Sequence, residues 1–386
     1  MYKSFTISNF RCFDEISIAD LKRINLIAGV NNVGKTALLE ALFLHCGAYN
    51  PELTVRINAF RGIDQIKYET GGLAETPWDG LFSNFDNTKV VQLLGENDEG
   101  GRRIVRLKVV RQPQEVGLGQ VLEYLQQSDT GVPTPLEGEP PDVGLVQPPL
   151  FPSSEGISVS SEGSQVLELT YEGAPGRAGR FFMIFDRRGL RVTPIPPPAP
   201  FQTVFLSARG RVPSKEDAER YGNLDSVGLQ NVVLNVLRVI EPRLERLSVR
   251  VLAGLPMLHG DMDGLSRLVP LPLMGEGMNR LASLVLAIGN ARNGVVLVDE
   301  IENGLHHTIL PKVWKVIGEA ARQFDTQVFA TTHSRECVVA AHNTFSESGE
   351  YDFRLHRLER IKGVIAARTY DQEALAGAVE TGLEVR

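Results

Sequence analysis

INLIAGVNNVGKTALLEALFLH, residues 24–45, reads as an apolar strand over Ile24–Ala28, a glycine loop, and a helical pattern from about Thr36 to His45. Within it GVNNVGKT, residues 29–36, fits G-x-x-x-x-G-K-[ST] in the context that this pattern requires, strand before and helix after. Gly29 and Gly34 allow backbone angles that turn successive amides toward a phosphate. The helix start beyond them adds about half a positive charge. Lys35 would reach the β- and γ-phosphates of a nucleotide, and Thr36 would hold magnesium.

Working outward, the next signal is VVLVDE at 295–300, a fully apolar run that opens into two carboxylates and continues as Ile-Glu-Asn-Gly-Leu-His. A metal-dependent nucleotide hydrolase needs this arrangement. Asp299 would bind magnesium opposite Thr36, directly or through water. Glu300 is placed to polarise an attacking water as general base. A third strand, VFATTH at 328–333, carries His333 at its end. Strand ends line the ligand crevice of a doubly wound sheet, so His333 is expected to meet a γ-phosphate or the attacking water. Fourth, MGEGMNR at 274–280 opens a helix whose apolar stripe is Leu281, Leu284, Val285 and Ile288. Gly275 and Gly277 leave amides bare at that helix start, an anion site in outline.

Composition excludes several classes. With 386 residues, 42% hydrophobic and 23% charged, the chain reads as an ordinary globular protein with room for a full core. A net charge of −7 argues against coating nucleic acid by charge alone. No apolar run approaches the roughly 18 residues of a membrane helix, and the opening MYKSFTISNF lacks a signal-peptide core. Cys12, Cys46 and Cys337 lie far apart and read as reduced thiols of a cytoplasmic protein, the last two as small core residues.

The rest of the chain organises around these motifs. Phe5, Ile7 and Phe10 alternate as a strand with a turn near Asn9 and Arg11. Trp78, Leu81, Phe82 and Phe85 suggest a short packed helix or turn. Strands are expected at 102–111, 165–173 and 180–195, the last folding back at Arg188-Gly189. Residues 112–164, rich in Pro, Gly, Ser and Glu, read as a mobile insertion, and PIPPPAP at 194–200 as a stiff connector. Helical periodicity runs from 215 and ends at Glu241-Pro242. Further helices are expected at about Asn279–Asn290, Ile309–Gln323 and from Arg335, and closing strands at 353–359 and 362–370. No heptad run supports a coiled-coil arm.

The order of P-loop, glycine helix start, Asp-Glu strand and His strand resembles the ATP-binding-cassette (ABC) ATPases. More narrowly, FTISNFRCF and DEIENGLHH resemble the AAA-type ATPases grouped with RecF, the SMC chromosome-maintenance proteins and the OLD (overcoming lysogenisation defect) nucleases. The resemblance covers residues 1–45 and about 200–386. It implies that Gly29, Asn31, Asn32, Gly34, Lys35, Thr36 and Ala37 cradle ATP, and that Arg11 lies near the adenine. It makes Asp299 and Glu300 the Walker B pair and His333 the switch histidine. Gly275, Glu276 and Gly277 then stand for a signature motif acting on a second subunit's ATP, without the usual Ser-Gly-Gly-Gln wording. A magnesium-contacting glutamine has no clear place; Gln65 is a candidate.

The implied fold is a single α/β P-loop ATPase head of the ABC/SMC/RecF type over 1–386. It divides into a P-loop and antiparallel β-lobe at 1–111, the insertion at 112–164, and a β-lobe continuation at 165–200. A helical lobe with the signature follows at 201–290, and 291–386 holds Walker B, the switch histidine and the last strands. A Toprim nuclease module is not expected, because only 53 residues follow His333. Asp261-Met262-Asp263 spells its Asp pair but reads as a loop. His306-His307 beside Glu302 suggests a metal, yet adjacent residues on a helix face different ways. Arg102, Arg106 and Lys108 on one strand face, and Arg103 and Arg111 on the other, offer a phosphate-tracking surface or a solvated sheet. Arg209, Arg211 and Lys215 are equally open.

The expected activity is slow Mg-dependent ATP hydrolysis by a homodimer or higher homo-oligomer that shares its ATP sites. Nucleotide state would control a DNA-directed task in antiphage defence or DNA repair, with a separately encoded effector nuclease as partner. A RecF-like recombination mediator and an ATP-gated scaffold for a defence effector are the alternatives.

Overall fold

The computed structural model describes residues 1–62, 76–98, 100–110, 165–173, 178–186, 189–208 and 212–386. The expected insertion at 112–164 lies outside them, as do Gln65, Arg111, Arg188, Arg209 and Arg211.

The strands are β1 (Tyr2–Phe10), β2 (Phe13–Ala19), β3 (Ile24–Ala28), β4 (Val91–Asn97), β5 (Arg102–Val110), β6 (Gln165–Glu172), β7 (Ala178–Asp186) and β8 (Gly189–Thr193). They continue with β9 (Thr203–Leu206), β10 (Leu244–Leu252), β11 (Leu255–Met262), β12 (Val269–Pro270), β13 (Val295–Val298), β14 (Gln327–Thr332), β15 (Phe353–Ile361) and β16 (Val364–Tyr370). The helices are α1 (Lys35–Cys46), α2 (Leu53–Ala59), α3 (Ser214–Ser226), α4 (Gln230–Arg238), α5 (Glu276–Asn290), α6 (Leu310–Gln323), α7 (Arg335–Glu347) and α8 (Gln372–Glu380).

Three sheets result. The central one runs β16-β15-β3-β14-β13-β9, parallel throughout except for the β16 edge. A seven-stranded antiparallel sheet, β2-β1-β4-β5-β6-β7-β8, forms the β-lobe, and β10-β11-β12 form a small third sheet.

Alternation along the central strands divides the interior in two. Ile27, Val295, Leu297 and Phe329 face a core shared with α1 and the β-lobe. Leu26, Ala28, Val296, Val298, Val328 and Ala330 face the opposite core, built with α5, α6 and α7. Helix α1 therefore lies between two sheets, and eleven of its twelve residues are buried. This is why KTALLEALFLHC is apolar on all sides instead of amphipathic. Its one buried carboxylate, Glu40, is held by Arg11 at 2.7 Å and Arg61 at 2.6 Å. Gln327 ties the sheets together: its side chain accepts from Tyr2 N at 2.7 Å and donates to the Tyr2 and Lys22 carbonyls at 2.9 and 2.8 Å.

Several expectations need revision. The 201–290 lobe is not helical alone: β10 and β11 form a hairpin within it, turning at Ala253 and Gly254, both at positive φ. Asp261 and Met262 end strand β11 and do not lie in a loop; Asp261 pairs with Arg246 at 3.1 Å and Met262 is buried. Trp78, Leu81 and Phe82 are buried as expected, but Phe85 is 75% exposed, because Asn84 and Phe85 are both left-handed and turn the ring outward. Cys46 and Cys337 are buried. No helix among the described residues is long and apolar enough to cross a membrane.

Candidate active site

Three adjacent strands, β3, β14 and β13, bring their C-terminal ends together, and each hands over to a piece of the site. From β3 the chain enters the P-loop. Gly29, at φ +150°, packs so closely on β15 that a Cβ would lie 2.6 Å from the Leu358 carbonyl oxygen. Gly34, at φ +96°, caps α1 where a Cβ would meet the Phe13 ring at 2.6 Å and Cys12 Sγ at 2.7 Å. Both positions therefore admit only glycine. Between them Val30, Asn31 and Asn32 are exposed, while Ala37 is buried under the loop.

Lys35 folds back over this loop. Its Nζ donates to the Gly29 and Val30 carbonyls at 2.6 and 3.0 Å, and burial lowers its pKa against the raising influence of Asp299, Glu300 and Glu302. Among the described residues the ammonium thus rests on neutral acceptors, with no carboxylate in hydrogen-bond contact. Thr36 Oγ1 lies 3.1 Å from both carboxylate oxygens of Asp299 at the end of β13. Asp299 is 7% exposed, and burial raises its pKa despite hydrogen bonds from Thr331 and Thr36 and the charge of Lys35. A buried carboxylate beside a hydroxyl and short of positive charge is a hard-oxygen donor set, which fits Mg2+.

Glu300 follows in a left-handed conformation, φ +48°, uncommon for a residue with a side chain. Thr331 holds it there. The Thr331 hydroxyl accepts from Glu300 N at 2.8 Å and donates to Asp299 Oδ1 at 2.7 Å, so one buried side chain fixes both acidic residues. Asn303 Nδ2 donates to Glu300 Oε2 at 2.7 Å. His333 follows the end of β14, about half exposed, with Nδ1 3.2 Å from Glu302 Oε1.

The signature residues join the site from the other side. Gly275 and Glu276 are exposed at the start of α5. Gly277 faces the loop after Glu300, where a Cβ would lie 3.5 Å from the Gly304 carbonyl oxygen, near Ile309 and Leu305. From the next turn Arg280 Nη2 donates to the Asp299 and Glu300 carbonyls at 3.1 and 3.4 Å. The glycine helix start is thereby linked to the acidic strand end of its own chain.

Arg11 is drawn elsewhere. Besides pairing with Glu40 it donates to Asn58 Oδ1 at 3.0 Å and to the Gly80 carbonyl at 3.2 Å. Its guanidinium is a strut between α1, α2 and the 79–82 turn. The basic strand is engaged as well: Arg106 pairs with Glu172, and Arg103 lies 4.3 Å over the Phe201 ring. Those contacts favour the solvated-sheet reading over a phosphate track. The His306 and His307 rings lie 4.2 Å apart and tilted at 38°, His306 caps the turn at 307–309, and no group of three or more metal-ligating side chains gathers among the described residues.

Sequence reasoning passed over Thr331 and Arg280, and weighed Glu302 only as a metal neighbour of His306-His307. The two hydroxyls of the Thr-Thr-His run were the available signal, since polar side chains ending an otherwise apolar buried strand need partners.

Comparisons with known proteins agree with this geometry. Residues 1–79 match the family described as "AAA ATPase domain", and residues 210–338 match "AAA domain, putative AbiEii toxin, Type IV TA system". Over 390 residues the chain is 22% identical to an "ATP/GTP phosphatase" of Helicobacter pylori, covering 97% of each. Among solved structures, an SMC head domain from Thermotoga maritima is similar at 14% identity and a TM-score of 0.37, over 96% of this chain and 99% of that one. An Smc head from Pyrococcus furiosus with an extended coiled coil, bound to the C-terminal domain of ScpA, is similar at 10% identity and a TM-score of 0.46, over 98% of each chain. Fold and site together define a P-loop ATPase. The AAA matches and the phosphatase relative agree, and the chain is an ATPase.

Proposed function

We propose that the chain is a Mg-dependent ATPase head that works as a homodimer, two copies enclosing two nucleotides. The observation that carries this reading is the convergence of Lys35, Thr36, Asp299, Glu300 and His333 on the ends of three neighbouring strands. The P-loop amides and Lys35 hold the phosphates. Thr36 and Asp299 hold Mg2+, which when bound offsets charge on the β- and γ-phosphate oxygens. Glu300 takes the proton of the attacking water as it adds in line to the γ-phosphorus, and ADP leaves on the far side. His333 contacts the γ-phosphate or that water.

The exposed Gly275–Gly277 start of α5 supports a role for the second copy, whose P-loop it would close. Because Gly277 packs on the loop after Glu300 and Arg280 bonds the Asp299 carbonyl, closure there is mechanically linked to the acidic pair. Nucleotide state would then set the dimer's shape, and shape would license a DNA-directed task in the manner of the OLD, RecF and SMC ATPases, with an effector nuclease as a separate partner. Phosphate release under Mg-ATP tests the catalytic part, with Lys35→Ala as the blank. ATP-dependent binding to gapped or end-bearing duplex tests the DNA part, and equal binding with and without ATP would contradict it.

A further inference from the structure

The end of β14 and the loop after Glu300 are joined residue by residue. Thr331 bonds Asp299 and Glu300 N, and one step further on Thr332 and His333 both bond Glu302. Glu302 Oε1 is 2.8 Å from Thr332 Oγ1, 2.9 Å from His333 N and 3.2 Å from His333 Nδ1. The direction of these bonds can be read. Ser334 N donates to Thr332 Oγ1 at 3.0 Å, which leaves the Thr332 hydroxyl proton for Glu302. The His333 amide is a donor by nature. Oε1 therefore accepts from two partners already, and a hydrogen bond with Nδ1 requires the ring to supply the proton. The carboxylate is anchored for this: its side chain is 11% exposed, and its other oxygen, Oε2, is buried without a hydrogen-bond partner among the described residues.

We propose that Glu302 is a positioning residue for His333, chelating its backbone N–H and Nδ1–H through one oxygen so that the ring is fixed with Nε2 bare. The half-exposed imidazole keeps one rotamer and one tautomer, and Nε2 accepts a hydrogen bond from the attacking water or from a protonated phosphate oxygen. The proposal deepens the reading above and rests on it for the role of His333. The Glu302–His333 pairing itself does not depend on turnover.

The test separates the two. In the full chain labelled with 15N-histidine, long-range proton–nitrogen correlation at about pH 8.5 reads the tautomer of the neutral ring, with His333→Gln supplying the assignment. The expected wild-type pattern is protonated Nδ1 and bare Nε2. Glu302→Gln, which keeps an acceptor oxygen, preserves it, and Glu302→Ala loses it. In turnover assays Glu302→Ala lowers kcat about tenfold or more with KM for ATP within about twofold, and in the His333→Ala background it costs nothing further. Protonated Nε2 in the wild type overturns the proposal, as do additive losses in the double variant. If Glu302→Ala does not fold, the wild-type and Glu302→Gln tautomers still decide. A wild-type chain with the expected tautomer and normal turnover after His333→Ala would leave the pairing intact and remove its catalytic purpose.

Discussion

Thr331 Oγ1 lies 2.7 Å from Asp299 Oδ1 and 2.8 Å from the amide nitrogen of Glu300, so a single hydroxyl on β14 fixes the Asp299 carboxylate and the Glu300 backbone just after β13. The left-handed backbone of Glu300, at φ +48°, is the cost of aiming that side chain, and the Thr331 bond offsets it. Thr331→Val keeps the shape and removes the hydroxyl. It leaves Glu300 N without its acceptor and Asp299 with Thr36 as its remaining hydroxyl donor, so stability falls by about 2 kcal/mol. Because Glu300, the proposed general base, also loses its support, kcat falls by about tenfold or more with little change in nucleotide affinity. Denaturant unfolding and phosphate release check the two parts, and an unchanged kcat would contradict the positioning argument.

Lys35 and Thr36 separate nucleotide binding from metal dependence. Lys35→Ala removes the ammonium that now rests on Gly29 and Val30 carbonyls, and titration calorimetry should show no ATP binding. Thr36→Ala leaves Asp299 as the remaining protein donor of the pair. ATP binding then persists while the Mg2+ concentration for half-maximal turnover rises by about tenfold or more. An unchanged Mg2+ dependence in Thr36→Ala would argue against the hydroxyl as a ligand.

Glu40 tests the interior of α1. Its carboxylate is fully buried and bridges Arg11 and Arg61. Glu40→Ala takes the carboxylate partner from two guanidinium groups beside a core, and the expected loss is about 3–5 kcal/mol by chemical denaturation. A loss below about 1 kcal/mol would mean that the pair is solvated.

Acid should destabilise the protein above the ordinary carboxylate range. Burial, with Arg103 beside it, pushes His45 down to about 3 from 6.5, and burial, with Arg354 nearby, pushes His356 down to about 4. His45 is held neutral by good partners: Tyr2 Oη donates to Nδ1 at 2.6 Å and Nε2 donates to the Arg103 carbonyl at 3.1 Å. As pH falls below 6.5 the unfolded chain binds protons that these rings refuse, so each contributes a loss of about 1.4 kcal/mol per pH unit. Asp217 acts in the opposite sense. Burial raises its pKa to about 6 from 3.8, so between those values the folded form binds the extra proton and gains on acidification. Thermal melts should show Tm falling between pH 6.5 and 4, more steeply in Asp217→Asn, which keeps a partner for Ser283 Oγ but loses the offset. A flat Tm across that range would contradict the account.

The parts of the fold that were legible in the sequence are those in which local chemistry demands one geometry. GVNNVGKT needs a strand before and a helix after, and β3 and α1 are where it requires them. VVLV and VFA are short apolar runs that end in polar site residues, as strands buried on both faces do at a ligand crevice. The β10–β11 hairpin escaped because its alternation is masked: Val251, Leu252 and Leu255 are exposed together at the tip, so apolar and polar positions do not separate into faces. Strand β9 has only four residues and gains its place by pairing with β13. Glu302 escaped for a different reason. Its partners are 30 and 31 residues away, and only the parallel register of β13 against β14 brings them together. The Arg11–Glu40 pair was not legible because Glu40 reads as an ordinary helix carboxylate until α1 is seen to be buried on all sides.

The central claim, an ATP-closed pair of heads, is met most directly by the solution mass of Glu300→Gln with and without Mg-ATP, by light scattering after size exclusion. Removing the proposed general base while keeping the proposed phosphate and metal ligands should trap the closed state. The account predicts a rise to twice the chain mass with Mg-ATP and a return to the monomer when Lys35→Ala is added. A monomer in both conditions, with ATP shown to be bound, would contradict it.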